Sequence, residues 1–190
     1  DTGRMEEFAR THGIQRQYHS FDEILRDKEV DAVHLVTPIP LHAEQTVAVL
    51  DSGKHCACTV PMATSLEDLE RITAAVRRSG KKYMMMETTL YTRQFFYARQ
   101  MLENGEFGKI QFLRGSHYQD MANWPSYWMG LPPMWYGTHP IAPMRVMAGS
   151  RIQKVHCFGS GTMEEWLARQ YQDPYPVETA IFSFENGLKG

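Results

Sequence analysis

The sequence predicts an α/β protein: a parallel sheet flanked by helices, followed by part of an α+β domain with a mainly antiparallel sheet. Three observations carry this. Residues 31–36, DAVHLV, are a short apolar and β-branched run suited to a central strand. Thr37-Pro38-Ile39-Pro40 stops it, because two prolines in four residues cannot continue a ladder. Residues 42–52 then repeat Ala43, Val47 and Leu50 at helical spacing up to Gly53, and residues 55–58 read as the next strand, ended by Thr59-Val60-Pro61. A strand–helix–strand unit of this length favours parallel strands joined by a right-handed crossover. Both loops then fall at the carboxyl ends of neighbouring strands, where open α/β sheets bind ligands. Beyond a boundary near Thr88, residues 177–184 alternate with period two, residues 110–118 do so imperfectly, and residues 152–159 read as another strand.

The remaining elements follow in order. Residues 1–13 read as a helix with Met5, Phe8 and Ala9 on one side and Gly13 as its stop. Residues 18–25 read as a strand end and then a helix, with Ser20 as N-cap and Glu23 in the capping-box position. Ser65 caps the next helix, whose Leu66, Leu69, Ile72 and Val76 recur until Gly80. Residues 81–86 read as a buried strand, its methionines filling core. Glu87, at that strand's carboxyl end, either closes a structural network or faces a ligand cleft. Residues 91–102 read as a helix with Phe95, Ala98 and Leu102 inward, ended by Gly105. Residues 119–138 are irregular because of Pro125, Pro132 and Pro133, and they carry Trp124, Tyr127, Trp128, Trp135 and Tyr136. Such rings suit the apolar faces of a sugar, or they seal an interface. Residues 139–148 read as a helix starting near Ile141, since Pro143 fits only near a helix start. Residues 162–173 are polar and read as a loop or insertion, and Asn186-Gly187 is a hairpin turn whose return strand is expected to be missing.

The 190 residues carry a formal charge of -2 and are 43% hydrophobic, an ordinary soluble globular composition. Neither a membrane span nor a signal peptide is indicated, and the lack of a basic block argues against nucleic acid. The three cysteines make no disulfide framework. Cys56 and Cys58 alternate along one strand and read as buried thiols rather than a metal or redox pair, so no metal site is expected. A cytoplasmic location is expected.

Two motifs at the carboxyl ends of the paired strands resemble those of the glucose–fructose oxidoreductase / inositol dehydrogenase (Gfo/Idh/MocA) family. That family carries Thr-Pro-Asn-x-x-His and Gly-Lys-His…Glu-Lys-Pro; here stand Thr37-Pro38-Ile39-Pro40-Leu41-His42 and Gly53-Lys54-His55-Cys56-Ala57-Cys58-Thr59-Val60-Pro61. Thr59 and Val60 replace the usual Glu and Lys. The resemblance implies that residues 1–88 are a partial dinucleotide-binding, Rossmann-type domain lacking its first strands. Residues 89–190 would be part of a C-terminal substrate and oligomerisation domain, entered through Glu106-Phe107-Gly108-Lys109. The sequence contains no Gly-rich phosphate turn, so the chain is expected to begin inside that first domain and to bind nucleotide weakly alone.

The resemblance further implies NAD or NADP as cofactor, held by Thr37, Pro38, His42, Thr59, Val60 and Pro61, with Glu87 beside them. His139 matches the family's histidine near the reacting hydroxyl, where it would take a proton as hydride leaves; Trp135 stands where the family has Asp. Read without the resemblance, His139 is a helix-start residue bonded to its own turn. Tyr91, Trp124, Trp128, Trp135 and Tyr136 are expected against the substrate. The same places are also similar to the branch of NAD-dependent glycosidases, with Thr59-Val60-Pro61, Glu87-Thr88-Thr89-Leu90-Tyr91 and Tyr136-Gly137-Thr138-His139. That branch oxidises a sugar transiently to acidify a neighbouring C–H, for which Tyr118 or a tyrosine of the aromatic loop would be the base. The expected function is an NAD(P)-dependent oxidoreductase acting on a sugar, sugar derivative or cyclitol. A redox-assisted glycosidase and a non-catalytic sugar- or nucleotide-binding relative are the alternatives. The full-length protein is expected to be a homo-oligomer.

Overall fold

The structure, a computed structural model, describes residues 2–121 and 123–190. It divides into two compact units, Asp1–Met85 and Met86–Gly190. The expected helical placement of Asp1, and Ala122 of the aromatic loop, lie outside the described residues.

The first unit contains α1 (Thr2–His12), α2 (Phe21–Arg26), β1 (Ala32–Leu35), α3 (His42–Asp51), β2 (His55–Thr59), α4 (Leu66–Ser79) and β3 (Tyr83–Met86). Gly13, Gly53 and Gly80 all take positive φ, which an L side chain adopts only with strain. Ser20 Oγ accepts the Glu23 N–H (3.2 Å) and Ser65 Oγ accepts that of Asp68 (3.1 Å), so both predicted caps form. Ser65→Ala should cost about 1 kcal/mol, read as a lower midpoint in denaturant unfolding. Among the described residues no strand precedes α2; the Tyr18 hydroxyl instead donates to Asp27 Oδ2 (2.6 Å).

The sheet runs β1-β2-β3, with β1 and β2 parallel and Leu35 opposite Cys58. Val33, Leu35, Cys56 and Cys58 point to one face and pack on Val49 and Leu50 of α3 and Ala75 of α4. The Cys-x-Cys pair therefore belongs to the core. Burial pushes both thiols up, Cys58 to about 12, which keeps them protonated and unreactive near neutrality. Two expectations need correction. β1 lies at an edge of the described sheet, and its alternating burial leaves Ala32 and His34 exposed. β3 is also an edge, so Met84 is 40% exposed rather than core.

The second unit contains a 3-10 turn (Thr88–Tyr91), α5 (Arg93–Glu103), two further 3-10 turns (Ser126–Trp128 and Pro133–Tyr136), α6 (Thr138–Ala148), β4 (Ile152–Ser160), α7 (Glu165–Tyr171) and β5 (Val177–Phe184). β4 and β5 pair antiparallel, with His156 opposite Ile181. Met144 of α6 packs on Phe182 and Phe184, with Ile141 and Ile152 around them. Among the described residues no helix is long and apolar enough to cross a membrane.

Four departures from expectation have local causes. Among the described residues, 110–118 form no strand, although the Leu113 N–H donates to the Lys189 carbonyl (3.1 Å). The segment is drawn onto α6 instead, where a Cβ on Gly115 would lie 2.5 Å from the Pro140 carbonyl oxygen. Residues 165–171 form α7 because tertiary contacts override their polarity: the Leu167 backbone sits where a Gly130 Cβ would be (2.0 Å), and Tyr171 packs edge-on to Trp135 (5.0 Å). The turn at Gly187 does begin a return limb, since Phe182 and Gly190 exchange backbone hydrogen bonds (2.7 and 3.1 Å). Finally, α6 starts at Thr138 and keeps Pro143 inside. Pro143 has no N–H for the His139 carbonyl, and the Thr89 hydroxyl lies 3.2 Å from that freed oxygen.

Candidate active site

In the first unit the two loops at the carboxyl ends of β1 and β2 are joined by His42, at the first position of α3 and 1% exposed. Its Nδ1 lies 2.7 Å from the Pro61 carbonyl and its Nε2 lies 2.9 Å from the Thr37 carbonyl. A neutral ring can donate to one of these oxygens, and an imidazolium to both. Thr37 Oγ1 donates to Gln45 Oε1 (2.6 Å), and Thr59 Oγ1 stands 3.4 Å from His42 Nε2. Val60 is buried and precedes a cis Pro61. Thr37, Pro38, His42, Thr59, Val60 and Pro61 therefore form one braced pair of loops. Val36, 71% exposed just before Thr37, adds an apolar shelf at the same strand end.

The second unit holds the acid–base chemistry. Glu87 follows β3 and caps the first 3-10 turn, accepting the Thr89 N–H (3.0 Å) and Thr89 hydroxyl (2.8 Å) on Oε1. The same oxygen lies 2.6 Å from His139 Nδ1, in the first turn of α6. Glu87 is 2% exposed. Burial acts to raise its pKa, but the hydrogen bonds from His139 and Thr89 outweigh it and hold it below the ordinary carboxylate value. The amino end of α6 favours the anion further. An ionised Glu87 fixes the proton of His139 on Nδ1 and turns Nε2 away as a lone-pair acceptor. Oε2 and the Thr138 hydroxyl are buried without a well-formed hydrogen bond, so this carboxylate keeps unused acceptor capacity.

Aromatic rings surround the pair. Tyr136 packs edge-on to His139 (4.7 Å between centroids) and to Trp128 (5.4 Å), which in turn meets Trp124 (5.2 Å). Burial, and next the charge of Glu87, push the Tyr136 hydroxyl up, keeping it protonated. Trp135 leaves this group and packs on Tyr171, and Tyr91 is exposed beside Phe96. Tyr118 is 84% exposed and lines, with Tyr136 and His117, a cleft of about 930 Å³ between residues 112–121, α6 and β5. Two features escaped the sequence reading. The Glu87–His139 contact spans 52 residues; its signal was a histidine lacking its usual upstream carboxylate together with a carboxylate at a strand end. His117 packs on both His139 (5.1 Å) and Tyr136 (5.4 Å), a contact across more than eighteen residues that no local pattern carries.

The first unit thus carries paired loops at parallel strand ends, and the second a buried carboxylate–histidine pair. The chain belongs to the GFO/IDH/MocA oxidoreductase family: residues 1–87 match its NAD-binding Rossmann-fold domain and residues 95–190 its C-terminal domain. It is similar to 1-carboxy-3-chloro-3,4-dihydroxycyclo hexa-1,5-diene dehydrogenase of Comamonas testosteroni, 25% identical over 88% of this chain and 42% of that protein. It is also similar to a glycosyl hydrolase family 109 protein of Shewanella baltica, 24% identical over 88% of this chain and 40% of the other. A levoglucosan dehydrogenase, solved with NADH and levoglucosan, superposes with a TM-score of 0.80 at 24% identity, over all of this chain and 54% of that one, which shows the fold. The chain thus spans less than half the length of these two curated relatives.

Proposed function

We propose that the full-length protein is an NAD(P)-dependent oxidoreductase that removes hydride from a carbinol carbon of a sugar, sugar derivative or cyclitol. The observation that carries this is the 2.6 Å contact between buried Glu87 and His139 Nδ1, in a chain of an NAD-binding oxidoreductase family. Residues 1–88 act as part of the dinucleotide-binding domain and residues 89–190 as part of the substrate and oligomerisation domain. The first-unit loops fit a nucleotide: Val36 and Pro38 offer an apolar surface, and Thr37 and Thr59 offer hydroxyls, with His42 fixing the spacing. The bound nicotinamide supplies a hydride acceptor. His139 Nε2 takes the hydroxyl proton, and Glu87 stabilises the imidazolium that results. Tyr136, Trp128 and Trp124 form a ring-faced wall for the sugar, whereas Trp135, packed on Tyr171, and Tyr91, beside Phe96, stand outside that ring cluster. Val60 supplies neither charge nor hydrogen bond, so His139 carries the proton handling.

A second reading, a redox-assisted glycosidase, is favoured by the likeness to the glycosyl hydrolase family 109 protein along 88% of the chain. Its extra requirement is a C–H base, for which Tyr118 or a tyrosine of the aromatic loop is the candidate. The experiment that separates the readings uses purified full-length protein, NAD or NADP, and a panel of free sugars, cyclitols and glycosides. Net nicotinamide reduction supports the oxidoreductase. Glycoside cleavage without net reduction supports the glycosidase. Nucleotide and sugar binding with neither outcome leaves a non-catalytic relative. We also propose self-association through the outer face of β4 and β5, where Phe158, Val177 and Ile181 are exposed; sedimentation of the full-length protein checks it. A cytoplasmic location fits three free cysteines.

A further inference from the structure

The aromatic loop does not hold its own shape. Residues 123–137 contain two 3-10 turns and three prolines. Their backbone bonds reach back only three residues, from the Trp128 N–H to the Pro125 carbonyl (2.9 Å) and from the Trp135 N–H to the Pro132 carbonyl (3.0 Å). Such bonds fix each turn but not the distance between the two. That distance is set by α7 and β5, through ties that span 43 or 44 residues. The Tyr171 hydroxyl donates to the Tyr127 carbonyl, and the Gln170 amide nitrogen lies 3.4 Å from the same oxygen. Glu178 Oε2 accepts the Met134 N–H (2.7 Å). The Tyr171 ring also packs edge-on to Trp135 (5.0 Å). Between these ties Gly130 runs against α7, where a Cβ would lie 2.0 Å from the Leu167 carbonyl oxygen. The two hydrogen-bonded positions fall one residue before Trp128 and two before Tyr136, whose rings meet edge-on at 5.4 Å. No residue of α7 is buried, so the helix adds little to the core, and its contribution lies in these contacts.

We propose that Tyr171 of α7 and Glu178 of β5 determine substrate specificity by fixing the spacing of the Trp128 and Tyr136 rings, so that the wall selects molecules with a flat ring face. Neither side chain touches the reacting atoms; both are positioning residues. The proposal rests on the sugar or cyclitol reading above. A pyranose or a cyclitol presents a face of C–H groups that stacks on aromatic rings. A wall held in place before the substrate arrives has less freedom to lose on binding, and the difference appears in KM rather than in kcat.

The test uses the full-length protein with Tyr171→Phe, Glu178→Ala and Glu178→Gln. Tyr171→Phe keeps the ring against Trp135 and removes only the hydroxyl. Glu178→Gln keeps a side-chain oxygen for the Met134 N–H, and Glu178→Ala does not. Amide hydrogen exchange, read by mass spectrometry, reports how firmly residues 124–136 are held. Steady-state kinetics on the panel of sugars and cyclitols above reports KM and kcat, and calorimetry reports nucleotide affinity. Tyr171→Phe and Glu178→Ala should speed exchange in residues 124–136 and raise KM for the best cyclic substrate by about 3–10-fold. Their kcat should stay within about twofold of wild type, with nucleotide affinity unchanged. The preference for the best substrate over the next best should shrink. Glu178→Gln should stay close to wild type in every readout. Unchanged exchange in both Tyr171→Phe and Glu178→Ala overturns the proposal whatever the kinetics show. Faster exchange with unchanged KM overturns it too, because the rings would then not meet the substrate. A fall in kcat and melting temperature at constant KM makes the contacts merely structural and also overturns it. Faster exchange in a protein that turns over no member of the panel contradicts the oxidoreductase reading, and the specificity assignment falls with it.

Discussion

His139→Ala in the full-length protein should lower kcat by about 10²–10⁴-fold, the range for losing a positioned acid–base group. Nucleotide affinity should change little, because the loops that would hold the nucleotide are braced by His42 in the other unit. The loss should appear equally in kcat and kcat/KM, as expected when the missing contact exists mainly in the transition state. Steady-state kinetics together with nucleotide calorimetry read both. A variant with wild-type kcat would return His139 to a structural role at the start of α6.

Glu87→Gln should cost a comparable factor, roughly 10²–10⁴-fold in kcat, with little change in the fold. The amide can still accept one hydrogen bond, but it no longer stabilises an imidazolium or enforces the Nδ1–H form. Glu87→Ala is the harsher change. It strands the Thr89 N–H and His139 Nδ1–H in a buried site and should destabilise the second unit by about 3–5 kcal/mol, read by denaturant unfolding. The pH dependence has a definite sign. The folded-state pKa of Glu87 lies below its ordinary value. Its contribution is therefore fully present above the unfolded carboxylate pKa and is lost as pH falls through the lowered folded value. Wild-type stability should hold at neutral pH and fall in acid, and Glu87→Gln should lack this part of the acid limb.

Much of the first unit was legible because its signals are local. Pro38 and Pro40 stop a strand, Gly53 and Gly80 stop helices, and Ser20 and Ser65 cap them, each within a few residues of its effect. The site histidine was legible through motif, but its partner was not. Residue 135 is a tryptophan, so the sequence around His139 contains no carboxylate to hold it, and the one that does comes from 52 residues upstream. Pro143 does not set where α6 begins; it lies inside the helix and leaves the His139 carbonyl without its usual N–H partner. Residues 110–118 alternate well enough to suggest a strand, yet Gly115 yields to Pro140 and the ladder is lost. The short α7 is held by Gly130 and Trp135, contacts that no local polarity pattern contains.

The central claim is that Glu87 keeps a proton on Nδ1 of His139 and leaves Nε2 as the working base. The nitrogen-15 chemical shifts of the His139 imidazole, followed by NMR while pH is raised, measure this directly. The proton lost should be the one on Nε2, with Nδ1 staying protonated and its hydrogen-bonded proton resonance shifted far downfield. In Glu87→Gln that downfield proton should disappear. A neutral ring with its proton on Nε2 and a lone pair on Nδ1 would contradict the account, because Glu87 would then have to be the donor and His139 would have no oriented base to offer a substrate.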